Sequence, residues 1–385
     1  MQYSKLISKL PSSPIRRMMV RAAEMGDVIS FSVGEPDFLP QSSVLEAAKT
    51  AMEISTKYAP GAGLNILRDT YAEYLNHTLG TDYVRENVIV TAGGMSALFL
   101  SFSCLLNPGD EVLLCAPYFT NYAPEVLMNN GVPVMVNVYE ENNFVVTSQA
   151  IRDAITPKTK VILLNSPCNP TGGIIDKNTL MEIADIAKEH DLFVISDEVY
   201  RHILFDEEEY CSISTLQGMK ERTLIIDSCS KSCAMTGFRV GFAAGPVELI
   251  NLFTRAVENI YSSVTTVSQY AAEEALKNGE DYRAYMCSQY EERRNYICAR
   301  ISKMDKISCI KPKGAFYIFA NITKTGLDGN EFANRLLEEK RVAVVPGGTF
   351  GDNAKYYIRM SYGTSMENLV KGLDRIGEFL MEISI

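Results

Sequence analysis

The stretch Asp227-Ser-Cys-Ser-Lys-Ser-Cys-Ala-Met-Thr-Gly-Phe-Arg239-Val-Gly241 begins as one apolar run closes, Leu224-Ile225-Ile226, and ends as another opens, Val240-Gly-Phe-Ala-Ala244. Both runs are β-rich, and the turn between them is built of small residues. It carries one lysine, Lys231, beside the hydroxyls of Ser228 and Ser230, and one arginine eight residues on, Arg239. A lysine kept only for solubility sits on a helix face. One held in a small-residue turn between two strands is positioned, partly desolvated and close to an anion site.

Working outward, the strands on either side belong to a longer alternation. Short apolar strands are expected at 88–91, 111–116, 133–138, 160–165, 192–197, 223–227 and 240–244. An amphipathic helix at 179–190 (Leu180, Ile183, Ala184, Ala187) separates two of them. Repeated strand–helix alternation predicts an α/β fold, a mostly parallel seven-stranded sheet covered by helices. Ahead of it, 43–57 reads as a helix with Val44, Ala47, Ala48, Ala51 and Ile54 on one face, and Leu64, Leu67, Tyr71, Leu75 and Leu79 mark another.

Beyond Glu280 the charge density rises through a long helix, 281–304. Strands at 308–311, 315–320, 342–345 and 356–361 follow, with a helix at 331–340. The closing helix is expected to open on the capping box Thr364-x-x-Glu367. The chain therefore divides into an irregular N-terminal arm (1–40), a large α/β domain (41–280) and a smaller α+β domain (281–385) on which the arm packs.

Bulk properties narrow the function. A chain of 385 residues with 46% hydrophobic and 22% charged residues has a sizeable core. A net charge of -10 and the lack of a dense Lys/Arg block exclude nucleic acid as a general partner. Nine cysteines without CxxC spacing read as reduced thiols of a cytoplasmic protein. His77, His190 and His202 are too scattered for a zinc site, so no metal is expected. The N-terminus lacks the apolar region of a signal peptide. The uncharged run 87–109 is cut by Gly93-Gly94 into a strand and a helix too short to span a bilayer.

Ligands of open α/β sheets bind beyond the carboxyl ends of the strands, and those ends carry chemistry here. After 88–91 comes Ala92-Gly-Gly-Met-Ser96, a phosphate cradle at a helix N-terminus or a plain helix entry. After 111–116 comes Pro117-Tyr-Phe-Thr120, an aromatic that stacks on a ring or packs in the core. After 160–165, Asn169 lies in a Pro/Gly loop, where a turn-former is the plainer role. Asp197 closes 192–197; it is a helix N-cap or the partner of a buried cationic nitrogen. Together these match the needs of pyridoxal 5′-phosphate: a Schiff-base lysine, a carboxylate for the ring nitrogen, donors to the 3′-oxygen and an arginine clamp for the phosphate.

At this point a resemblance is plain. Residues Ser228-Cys-Ser-Lys-Ser-Cys-Ala-Met-Thr-Gly-Phe-Arg-Val-Gly241 resemble the lysine signature of class I/II aminotransferases, pyridoxal-phosphate enzymes of fold type I. Val33-Gly-Glu-Pro-Asp-Phe38, Ser166-Pro-Cys-Asn-Pro-Thr-Gly172, Asp197-Glu-Val-Tyr200, Lys313-Gly-Ala-Phe-Tyr317 and Tyr357-Ile-Arg-Met-Ser361 are similar to that family too, and in its order.

The resemblance implies an aminotransferase that moves the amino group of an L-amino acid to a 2-oxo acid by a ping-pong route. It implies Lys231 as the Schiff-base lysine and proton shuttle, Asp197 at the ring nitrogen, and Tyr200 and Asn169 at the 3′-oxygen. Phe119 would stack on the ring, or Tyr118 if the register is off by one. Gly94, Met95, Ser96, Ser228, Ser230 and Arg239 would surround the phosphate, joined by Tyr58 of the neighbouring subunit of a homodimer. Arg359, Asn169 and the Gly34 backbone would grip the substrate carboxylate; on its own Arg359 would read as a surface ion pair.

Two positions depart from the family. Met95 stands where some bacterial aspartate aminotransferases carry a lysine for the substrate's side-chain carboxylate, which a thioether cannot bind. That leaves the donor open, with Arg16 or Arg17 of the arm as possible substitutes. Cys168 stands where asparagine is frequent, a change of packing. A C–S β-lyase or decarboxylase on the same cofactor is the alternative. A dinucleotide-binding oxidoreductase is remoter, because Gly61-Ala-Gly63 is followed by Ile66 where the third glycine would stand.

Overall fold

The fold was read from a computed structural model, which describes residues 3–10 and 14–383. The expected seven-stranded sheet is present. From one edge to the other its strands are Val88–Thr91, Gly241–Ala244, Thr223–Ser228, Phe193–Asp197, Thr159–Asn165, Glu111–Ala116 and Val132–Asn137. Six run parallel; Gly241–Ala244 is antiparallel to both of its neighbours.

Successive side chains point to opposite faces, so each strand feeds two cores. Ile89, Val112, Leu114, Val161, Leu163, Ile195, Leu224, Ile226 and Ala243 pack on one face with the helices Gly94–Leu105, Tyr122–Met128 and Val247–Ile260. On the other face Leu113, Ile162, Leu164 and Val194 meet helices Ser148–Ala154 and Lys177–Glu189. There too, Val88, Val90, Ile225 and Phe242 meet helices Ser42–Ile54, Asn65–Leu79 and Thr266–Asn278. Burial on both faces is why the strands read as unbroken apolar runs.

The C-terminal part holds an antiparallel four-stranded sheet in the order Val345–Pro346, Tyr357–Ser361, Tyr317–Asn321, Ser308–Cys309. Helices Glu280–Ile301, Gly329–Lys340 and Met366–Glu382 pack beside it through Met286, Ile297, Phe332, Leu336, Leu373 and Phe379.

Several expectations are corrected. The arm is not irregular throughout: Pro14–Met25 is a helix that buries Met18 and Ala22, one turn apart, and Ile29–Ser30 pairs in parallel with Val342–Ala343. The strand expected over 342–345 is split between two sheets. The closing helix has no Thr364 capping box. Ser365 is its N-cap, accepting from the Asn368 N–H at 3.2 Å, while Glu367 turns outward to Lys371. No element was expected from 245 to 280, yet Val247–Ile260 buries Leu249, Ile250, Phe253 and Val257 at helical spacing, a signal the sequence does carry.

Candidate active site

The parallel strands end at one side of the sheet, and register brings their last residues together. Thr91 and Ser228 both pair with Gly241, and Asn165 pairs with Asp197. A cleft of about 330 Å³ opens beyond these ends. Of the residues singled out from the sequence, Gly34, Gly94, Met95, Phe119, Asn169, Asp197, Tyr200, Ser228, Ser230, Lys231, Arg239 and Arg359 all line it.

Lys231 sits in a four-residue helix, Cys229–Ser232, that Ser228 caps through the Ser230 N–H at 3.1 Å. The preceding residue is pinned as well: Asp227 accepts from the Ser228 N–H at 2.7 Å, from Tyr71 at 3.0 Å and from Arg201 at 2.9 Å. Lys231 Nζ donates to the Gly34 carbonyl at 2.6 Å. Burial lowers its pKa to about 8, so at pH 7 roughly a tenth of the amine is uncharged, far more than for a solvated lysine.

Asp197 is 4% exposed. Tyr122 donates to its Oδ2 at 2.6 Å and the Val199 N–H to Oδ1 at 3.3 Å. No cation pairs with it among the described residues, and burial raises its pKa to about 6. Arg359 poses the reverse problem. It lies within Tyr357–Ser361, paired on one side with Phe319 and on the other with Val345, and is 1% exposed. Its guanidinium donates to Asn169 Oδ1 at 3.0 Å and to the Ser32 carbonyl at 2.7 Å, stacks over Tyr317 and Phe350, and leaves Nε without a partner. No carboxylate pairs with it among the described residues, and burial lowers its pKa. An unpaired buried carboxylate and an unpaired buried guanidinium in one cleft are each costly unless a ligand supplies the opposite charge.

Between them the walls suit a flat, phosphorylated ring. The helix Gly94–Leu105 starts at the cleft, and the N–H groups of Gly94 and Met95 have no partner inside it. Across from it Arg239, at φ 55, passes so close to Gly93, at φ 83, that a side chain on Gly93 would collide with the guanidinium. A Cβ on Gly241 would likewise lie 2.5 Å from the Gly93 carbonyl carbon. Anion-binding N–H groups, two serines and an arginine meet there. Phe119, and not Tyr118, lines the cleft; Tyr118 faces a separate crevice.

Two expected residues are not brought to the cleft. Ser96 lies further into the helix, bonded to Tyr261 at 3.1 Å, and Tyr58 is 91% exposed on the chain's surface. Arg16 and Arg17 do not line it either, although Ile15 does. Cys168 contributes packing beside Pro117. Unexpected from the sequence are Tyr122, Asn165 and Tyr317. Asn165 ties two strand ends together, donating to the Asp197 carbonyl at 3.1 Å and accepting from the Asn169 N–H at 2.9 Å. Its place as the last residue of a strand was the available signal.

The comparisons agree with this geometry. Residues 26–376 match the family model described as aminotransferase class I and II. The chain is 41% identical to an aspartate aminotransferase of Pyrococcus abyssi, with 99% of each chain covered. It is 38% identical to an aromatic-amino-acid aminotransferase of Thermococcus litoralis, again over 99% of each. Among solved structures, the aspartate aminotransferase of Thermus thermophilus with maleate superposes at a TM-score of 0.94 and 36% identity, covering 98% of this chain and 99% of that one.

Proposed function

The chain belongs to the class I and II aminotransferases and is a pyridoxal-phosphate-dependent transaminase; from that premise we propose the residues that perform its reaction and the class of amino donor it takes. When bound, pyridoxal phosphate supplies an aldehyde carbon that condenses with amines and a protonated ring that withdraws electrons from the substrate Cα.

Lys231 is the amine that holds the cofactor, and its lowered pKa favours the nucleophilic form. With the substrate amine in its place, Lys231 Nζ would be free to take the Cα proton and return it on the far side of the substrate nitrogen, at the carbon that had been the cofactor's aldehyde. The Gly34 carbonyl, 2.6 Å away, keeps Nζ facing the cleft for both transfers. Asp197 keeps the ring nitrogen protonated, and Tyr122 fixes the carboxylate's orientation. Tyr200 and Asn169 serve the 3′-oxygen, and Phe119 covers the ring. Gly94, Met95, Ser228, Ser230 and Arg239 enclose the phosphate, and Ser96, bonded to Tyr261, stands behind them in the first turn of the helix. Arg359 grips the substrate's α-carboxylate. The observation that carries these roles is the pair of unmatched buried charges, Asp197 and Arg359, in the one cleft that Lys231 also lines.

The donor's side chain is apolar. Ile15, Val33, Met95 and Leu98 line the cleft, and its basic side chains, Lys231, Arg239 and Arg359, are committed to cofactor and α-carboxylate. The test is a single-turnover panel of amino acids, read as the change in absorbance of the bound cofactor. Phenylalanine or leucine converting faster than aspartate supports the reading; a preference for aspartate overturns it.

A homodimer completes the site, with Tyr58 reaching the neighbouring subunit's phosphate. Exposed Leu39, Met52, Ile54 and Ile66 in the same part of the chain support that interface. The division into an arm to residue 40, a cofactor-binding domain to 280 and a C-terminal domain belongs to the same proposal, supported by the two apolar clusters confined to the large domain and by the packing of Met18, Ala22, Ile29 and Phe31 of the arm into the C-terminal core. Nine free cysteines support a cytoplasmic location.

A further inference from the structure

Tyr317 opens the strand Tyr317–Asn321 and is 1% exposed, yet its side chain reaches three parts of the cleft at once. Its hydroxyl is 2.8 Å from the Tyr200 hydroxyl. Its ring lies under the Arg359 guanidinium, 4.6 Å from centroid to Cζ. The same hydroxyl lies against Gly34, where any side chain would collide with it, and the Gly34 carbonyl is the acceptor for Lys231.

We propose that Tyr317 is a positioning residue that sets the hydrogen bond Tyr200 offers to the cofactor's 3′-oxygen. This rests on the reading of Tyr200 as a donor to that oxygen. A tyrosine hydroxyl has one hydrogen to give. If Tyr200 gives its hydrogen to the cofactor, the hydrogen shared between the two tyrosines comes from Tyr317. Tyr317 then donates to Tyr200, and a hydroxyl that accepts one bond donates a stronger one. A stronger donor stabilises negative charge on the 3′-oxygen, so the bound cofactor loses its proton at lower pH. The same ring supports Arg359, so one side chain braces both the cofactor's oxygen donor and the substrate-carboxylate clamp.

The test is the pH titration of the bound cofactor's absorbance in the holoenzyme and in Tyr317→Phe, Tyr200→Phe and the double variant. The charged groups facing the two hydroxyls are Arg359 on the neighbouring strand and Asp197 at the sheet end, with Lys231 and Glu35 lining the same cleft, and all four are unchanged in every variant. Phenylalanine keeps the ring under Arg359 and removes only the donor. Tyr317→Phe is expected to raise the midpoint by about half a pH unit or more, the worth of one neutral hydrogen bond. Tyr200→Phe should raise it further, and the double variant should match Tyr200→Phe alone, because Tyr317 acts through Tyr200. A Tyr317→Phe midpoint equal to wild type overturns the proposal, as does a shift that adds in full to that of Tyr200→Phe. Tyr200→Phe titrating like wild type overturns it differently, by removing its premise. Melting temperatures of the same variants separate a loss of folding from a change at the cofactor.

Discussion

Tyr122 donates its hydroxyl to Oδ2 of Asp197 across 2.6 Å, and no cation is paired with that carboxylate among the described residues. One hydrogen bond from a side chain and one from a backbone N–H do not offset the loss of water, so burial raises the pKa from 3.8 to about 6. The cofactor-free protein therefore carries strain at a defined atom, which a cationic ring nitrogen relieves.

The pH dependence follows from that sign. Between the unfolded and folded values, about 4 and about 6, the native state holds the Asp197 proton and the unfolded state does not. Stability from this group thus falls as pH rises through that window, by roughly 3 kcal/mol in all. Cofactor-free Asp197→Asn should melt above the wild type at pH 8, with the difference shrinking as pH falls through 6 towards 4. Melting curves of both proteins over that range check it; a difference independent of pH would contradict it.

Lys231 gives a second pH prediction. Because burial holds its pKa at about 8, the uncharged amine is already the major form above that pH. The rate at which cofactor-free protein takes up pyridoxal phosphate should climb towards pH 8 and level off above it. Stopped-flow absorbance measures this, and a rate still rising tenfold per unit beyond pH 9 would exclude it.

Much of the fold was legible because parallel strands buried on both faces carry nearly continuous apolar runs, as in Val88–Thr91 and Thr223–Ser228. The site was legible for a related reason: Asp197, Ser228 and Gly94 each sit at or just beyond a strand's carboxyl end. What was not legible depends on packing between distant segments. Nothing local tells that Tyr122 turns towards a carboxylate 75 residues on, or that Tyr317 meets Tyr200 across 117. Thr364 failed as a cap because the chain enters the helix one residue later, with Ser365 equally able to accept. The helix Pro14–Met25 is of another kind, since its proline start and its buried Met18–Ala22 pair are ordinary local helix signals.

Met95 controls the donor through what it lacks. Lysine at this cleft-lining position would face a side-chain carboxylate with a charge-assisted hydrogen bond. Met95→Lys should raise kcat/KM for aspartate by about tenfold or more and lower it for apolar donors. Steady-state kinetics with aspartate and phenylalanine test this; an unchanged ratio of the two would place the side-chain pocket elsewhere.

Tyr58 permits a test by complementation. If it serves the neighbouring subunit's site, a hybrid of Lys231→Ala and Tyr58→Ala subunits gathers both lesions in one site and leaves the other intact. Mixed dimers should then recover about half the wild-type activity per dimer, from parents that have little. Hybrids no more active than the average of their parents would show that Tyr58 does not cross the interface.

The central claim is that Lys231 Nζ moves the proton. The direct measurement is the single-turnover rate of amino-group transfer from phenylalanine in Lys231→Ala loaded with pyridoxal phosphate, with folding checked by circular dichroism. Loss of a positioned acid–base group should slow the step by about 10²- to 10⁴-fold or more while the fold is kept. A folded, cofactor-loaded variant that transfers the amino group at the wild-type rate would contradict it.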